Sequence, residues 1–149
     1  MNILIKTDKK LYTNTIITIE TPMITPELEH LINFLSIYES YHIIGKKEYD
    51  DVNLYTLKPT EIIRFYSYNK HVYAKTEHDN YLIKERLYEL TERLSPHIFL
   101  RISNTEIINK NEIIKIDFSL KGTISFTMSN NDICYASRRY IKEIKEFLK

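Results

Sequence analysis

The chain has 149 residues, 43% of them hydrophobic and 28% charged, with 21 basic against 20 acidic side chains, the balance of an ordinary globular domain. One cysteine and two glycines exclude a disulfide framework, a cysteine-rich zinc site, a glycine-rich phosphate loop and a dinucleotide fingerprint. No apolar run approaches the roughly 20 residues that span a bilayer, and the opening MNILIKTDKK is not a signal-peptide pattern, so a reduced, cytoplasmic setting is expected.

In chain order, the β-branched runs at 2–6 and 15–20 read as strands. Pro22 and Pro26 bracket a helix start. Thr25 suits the N-cap, Pro26 the first helical position, and Glu27 and Glu29 the first turn, where the helix dipole favours negative charge. Leu28, Leu31, Ile32, Leu35 and Tyr38 recur at spacings of three and four, which predicts a helix over 26–40. Short strands follow at 41–44, 52–57, 62–68, 71–76 and 81–84. Gly45 with the charged segment 46–51, the break at 58–61, Asn69-Lys70 and the segment 77–80 separate them. That alternation of strands and polar turns reads as a meander.

Leu87, Leu90 and Leu94 share one face of a second helix, about 85–94, stopped by Ser95-Pro96. Strands are predicted at 99–103, 113–119 and 123–129. The last two are joined by Leu120-Lys121-Gly122, with glycine where a tight turn needs a positive φ. After a turn at 130–132 come a strand at 133–136 and a helix at about 138–148, with Ile141, Ile144, Phe147 and Leu148 as its buried stripe. The fold class is mainly β (α+β).

Enzyme constellations are missing. There is no H-E-x-x-H, C-x-x-C or G-x-S-x-G. His71 and His78 flank one hairpin without a recognised ligand spacing. Cys134 lies mid-strand between Ile133 and Tyr135, where a small buried apolar role is expected. Neither catalysis, a cofactor nor a metal is expected.

What remains is the polar content of the links between strands. Asn69, Lys70 and His71 form one group. Ser103, Asn104 and Thr105 form a second, with Asn109, Lys110 and Asn111 close behind, and Ser137, Arg138 and Arg139 form the third. Asparagine can bond adenine bidentately, arginine can bond guanine O6 and N7, and serine, threonine and lysine can hold phosphates. Projected from one edge of a β-scaffold, such turns would read nucleic acid without a recognition helix. Ordinary solvated turns have the same composition. The charge gradient is weak: residues 101–149 carry nine basic and six acidic side chains. Tyr66, Tyr68 and Tyr73 could stack unpaired bases, but cross-strand packing in a hairpin is the expected role.

Three segments in order resemble the LytTR family of DNA-binding domains. IIRFYSYNKHVYAKTEHDNYLIKERLYELTERL (62–94) is similar to the family's opening hairpins and first helix. FLRISNTEIINKNEI (99–113) is similar to its central Phe-x-Arg-x-His-Arg/Asn-Ser stretch, followed by valine or isoleucine and an asparagine. ICYASRRYIKEIKEFL (133–148) is similar to its closing strand, Ser-x-Arg element and last helix. The resemblance runs from about Leu57 to Leu148. It implies small stacked sheets whose loops enter successive major grooves of DNA, read by a sequence-specific, double-stranded-DNA-binding transcriptional regulator. Carried over, the groove-contacting histidine is His71, the central arginine or asparagine is Asn104, and the arginine of the Ser-x-Arg element is Arg139. Arg138 would hold a phosphate or share the base contact, and Asn109 would form a turn first and touch the DNA backbone second.

Two departures stand out. Ser103 replaces the central histidine, and Glu106 would repel phosphate unless it points away or pairs with a lysine. The segment ahead of the resemblance is too short for a phosphoreceiver domain, so the chain is similar to the small stand-alone regulators, which often act with a restraining membrane protein. Residues 1–57 are expected to form a strand–strand–helix region for dimerisation or a partner, and residues 58–149 the DNA-binding domain. One small reader buries little surface, so a homodimer on repeated half-sites is expected. Two alternatives stay open. One is a non-catalytic protein–protein interaction module with an incidental basic rim, and the other is a binder of RNA or single strands.

Overall fold

The computed structural model describes residues 19–40 and 42–149. The strand expected at 2–6 lies outside the described residues, as does that at 15–20 apart from Ile19 and Glu20, which belong to no strand. Helix α1 spans Pro26–Ser40. Its first turn is closed by Thr25, whose Oγ1 accepts from the Leu28 N–H (3.3 Å) and whose carbonyl accepts from the Glu29 N–H (2.9 Å). Leu28 is buried, and Phe34, outside the expected stripe, packs on the core.

Among the described residues, seven antiparallel strands form the main sheet: β1 (Ile43–Lys47), β2 (Tyr55–Leu57), β3 (Arg64–Tyr68), β4 (His71–Lys75), β5 (Asn80–Ile83), β6 (Phe99–Ser103) and β7 (Glu106–Asn109), in the order β2-β1-β5-β4-β3-β7-β6. A three-stranded sheet, ordered β10-β9-β8, is built from β8 (Ile113–Asp117), β9 (Ser125–Met128) and β10 (Ile133–Tyr135). Helix α2 (Leu87–Arg93) follows β5, and α3 (Ile141–Phe147) closes the chain after a 3-10 turn at Arg138–Tyr140.

The pleat sorts side chains between two cores. On one face of the main sheet Ile43, Phe65, Val72, Ala74, Ile83 and Ile107 meet Leu87 and Leu90 of α2 and Leu94 just past its end. On the other face, at the β6–β7 end, Leu100, Ile102 and Ile108 meet Phe126, Met128 and Cys134 of the small sheet and Ile144 of α3. Of the expected α3 stripe, Ile144 is buried, Ile141 and Phe147 are partly buried against this core, and Leu148 is exposed.

Two elements differ from the sequence reading. Gly45 does not end a strand: it sits inside β1, paired with Tyr55 on one side and Ile83 on the other. A Cβ there would lie 2.7 Å from the Tyr81 Cβ, so glycine is needed because the Tyr81 side chain crosses the position, not because a turn begins. The second difference is β7, inside a segment read as a polar link. Its Ile107 and Ile108 alternate between the two cores. The strand β1 also ties residues ahead of position 58 into the main sheet, through Gly45↔Ile83 and Lys47↔Tyr81.

Candidate nucleic-acid interface

Hairpin register brings the first two bends to one end of the main sheet. Asn69 (φ 47°) and Lys70 (φ 66°) are both left-handed, as a two-residue turn twisted to match its strands requires, and His71 pairs directly with Tyr68 across it. Strand β7 runs antiparallel to β3, with Tyr66 opposite Glu106, and the Ser67 N–H donates to the Thr105 carbonyl (2.8 Å). The β3–β4 bend and the β6–β7 bend at Asn104-Thr105 therefore project from the same end.

The third bend is tied to the second. The Ser137 N–H donates to the Ile102 carbonyl (2.9 Å), and the Tyr140 hydroxyl donates to Asn104 Oδ1 (2.9 Å). Asn69, Lys70, His71, Asn104, Arg138 and Arg139 are exposed, and Ser137 is half-buried. No hydrogen bond or ion pair among the described residues occupies the side chains of His71, Arg138 or Arg139.

A register shift between Arg101 and Ser103 marks a bulge just before the second bend, a device that re-aims side chains at a strand end. Arg101 fixes the bend from behind. It donates from Nε to the Ser103 carbonyl (2.8 Å), from Nη2 to the Asn104 carbonyl (2.8 Å) and from Nη1 to Thr91 Oγ1 on α2 (2.9 Å). Neither Arg101 nor Tyr140 is marked by composition. Arg101 lies within the strand pattern, and Tyr140 at the start of a helical one. Composition likewise does not mark two further cations. Lys84 and Arg86, in the link from β5 to α2, line a hollow of about 240 Å³ with Lys70 and His71, and Arg86 Nη1 donates to the Lys70 carbonyl (3.3 Å).

Two expected contact residues turn out to be structural. Asn109 is 1% exposed. Its Nδ2 donates to the Ile62 carbonyl (2.9 Å) and its Oδ1 accepts from the Asn111 N–H (2.9 Å), so both ends of its amide are engaged inside the fold. Ser103, 9% exposed, spends its Oγ within the bend, 3.1 Å from Thr105 Oγ1 and accepting from the Thr105 N–H (3.2 Å). Lys110 is likewise spent. Its Nζ donates to the Pro96 carbonyl (2.6 Å) and lies 4.7 Å from the Phe147 ring centroid, and burial pushes its pKa down.

Glu106 does turn from the rim, but its partner is an arginine and not a lysine: the Arg64 guanidinium pairs with Glu106 and, at 2.9 Å, with Asp132. Burial works against that cation, and Glu106 and then Asp132 outweigh it, so the Arg64 pKa stands above its ordinary value. Cys134 is buried, and burial followed by the neighbouring Glu106 carboxylate drives its thiol pKa far up, which leaves an unreactive thiol. Tyr66 stacks on Tyr73 across the hairpin, centroids 5.4 Å apart. Tyr68 is exposed.

Comparison with known proteins gives the same direction. The chain is 34% identical over 137 residues to proteins named as HTH-type transcriptional regulators in Staphylococcus aureus strains NCTC 8325 and COL, covering 91% of this chain and 90% of each relative. Among the described residues no helix-turn-helix pair exists, because five strands separate α2 from α3. A solved LytTr DNA-binding domain from Bacillus cereus superposes with a TM-score of 0.66 at 20% identity, over 72% of this chain and 95% of that one, which identifies the fold. The description of the LytTr DNA-binding domain matches residues 52–149. With two thirds of its length matched in this way, the chain belongs to the LytTr DNA-binding domain family, a family of DNA binders and not of enzymes.

Proposed function

We propose that the protein is a transcriptional regulator that binds double-stranded DNA sequence-specifically, reading successive major grooves through its loops. The observation that carries this reading is the convergence of three bends at one end of the structure, with the side chains of His71 and Arg139 unspent and the Asn104 amide beside them. His71, Asn104 and Arg139 are assigned to base edges. Asn69, Lys70, Arg138 and Ser137, together with Lys84 and Arg86, are assigned to phosphates, which set position and salt dependence while base edges set sequence. A homodimer on repeated half-sites supplies the area that one small reader lacks. Residues 1–57 would provide the dimer or partner surface, residues 58–149 the reader, and a restraining membrane protein the regulation. No helix among the described residues is long and apolar enough to cross a membrane, and the reading places the protein in the cytoplasm with its DNA.

Labelled duplex selected from genomic footprints tests the proposal by anisotropy. Arg139→Ala should weaken specific binding by about 1–3 kcal/mol and leave the thermal melt unchanged. Lys84→Ala should weaken all sequences alike and reduce the log–log salt slope by about one. A chain with no saturable duplex binding at moderate salt would instead be a protein–protein interaction module.

A further inference from the structure

Asparagine is an ambiguous reader, since its amide carries two donors on nitrogen and an acceptor oxygen, and a free side chain can offer either. Asn104 is not free. Its Oδ1 accepts from the Tyr140 hydroxyl at 2.9 Å, while its Nδ2 has no protein partner among the described residues. The backbone on which it stands is also held. Arg101 grips the Ser103 and Asn104 carbonyls while anchored on Thr91, and the Ser103 and Thr105 side chains close the bend from the other side. Tyr140 follows Arg139 directly in the chain, so one short turn carries an exposed guanidinium and the hydroxyl that orients the amide.

We infer that Tyr140 is a specificity-setting positioning residue: by holding Asn104 Oδ1 it fixes the amide in one orientation with both Nδ2 donors unspent, favouring a base edge that presents acceptors. Such edges are purine N7, guanine O6 and thymine O4, and the edge disfavoured at that position is the cytosine amine. The inference rests on the DNA-reading function proposed above. Holding the amide before binding also reduces the ordering cost paid on association.

Selection from a randomised duplex pool tests it, with wild type, Tyr140→Phe and Asn104→Asp compared and thermal melts run beside them. Wild type should enrich an acceptor-presenting base at one position of each half-site. Tyr140→Phe removes only a hydroxyl. It should flatten the preference at that position while retaining the others, with affinity for the wild-type site down about three- to tenfold. Asn104→Asp keeps the Tyr140 contact but carries no donor, so preference there should shift toward cytosine.

Three results would overturn the inference while sparing the function: a Tyr140→Phe preference identical to wild type, a uniform loss at all positions with a lowered melt, or a wild-type preference for cytosine at the position Asn104→Asp alters. A wild type that enriches no sequence would overturn both.

Discussion

Two asparagines in polar segments five residues apart stand in opposite surroundings, one exposed and one buried. Asn104 is exposed at the tip of a bend, and Asn109 is sealed beneath Ile62 with both ends of its amide engaged. Replacing Asn109 by alanine leaves the Ile62 carbonyl without that donor in an apolar setting, a loss of about 1–3 kcal/mol. The urea midpoint of Asn109→Ala should fall accordingly, while duplex affinity per folded molecule stays at the wild-type value. Arg139→Ala should show the reverse pattern, so the pair of variants separates a residue that supports the fold from one assigned to DNA. The sequence could nominate both positions, because turn residues and base-reading residues are drawn from the same polar set. It could not sort them, since the fact that decides is the strand β7, whose two isoleucines are too short an apolar run to announce themselves. Tyr140 is illegible for the converse reason, because it acts on Asn104, which only folding brings near, and Arg101 is illegible because a strand pattern does not announce the bulge that turns it onto the Ser103 and Asn104 carbonyls.

Elements whose signals are local were legible before folding. The Thr25-Pro26 helix start, the Asn69-Lys70 hairpin and the three-leucine face of α2 all stand as read. The β1–β2 hairpin was harder, because its glycine answers to Tyr81 on another strand. Its connection is held by charge instead. Asp50 accepts from the Tyr55 hydroxyl (2.5 Å), from Asn53 Nδ2 and from the Val52 and Asn53 N–H groups. The Tyr55 hydroxyl first, and Asn53 after it, hold the Asp50 carboxyl well below the usual carboxylate range. A folded pKa depressed in this way gives stability that is complete above the unfolded value and is lost as pH falls through the folded one. Asp50→Asn should therefore be less stable than wild type at neutral pH. The gap between their urea midpoints should narrow steadily below about pH 4. A gap that is constant with pH would mean that the hairpin gains nothing from ionisation.

At the scale of the molecule, the rim depends on two sheets with separate cores keeping one relative placement, and Arg64 spans them. It leaves β3 of the main sheet, pairs with Glu106 at the foot of the Asn104 bend, and reaches Asp132 where the chain enters β10 of the small sheet. All three side chains are at least two thirds covered, so this ion pair lies outside the exposed class that contributes little. Removing one partner of such a covered network leaves the others uncompensated, at a cost of a few kcal/mol. In Arg64→Ala the stranded carboxylates of Glu106 and Asp132 face each other without a cation. Arg64→Ala should thus unfold about 2–4 kcal/mol more easily than wild type at pH 7, read as a lowered urea midpoint. Arg64→Lys, which restores the charge without the two-sided fork, should recover part of the loss. If neither variant moves the midpoint, the sheets are held by the Ile108–Phe126 core alone and the charged bridge is incidental to the placement of the rim.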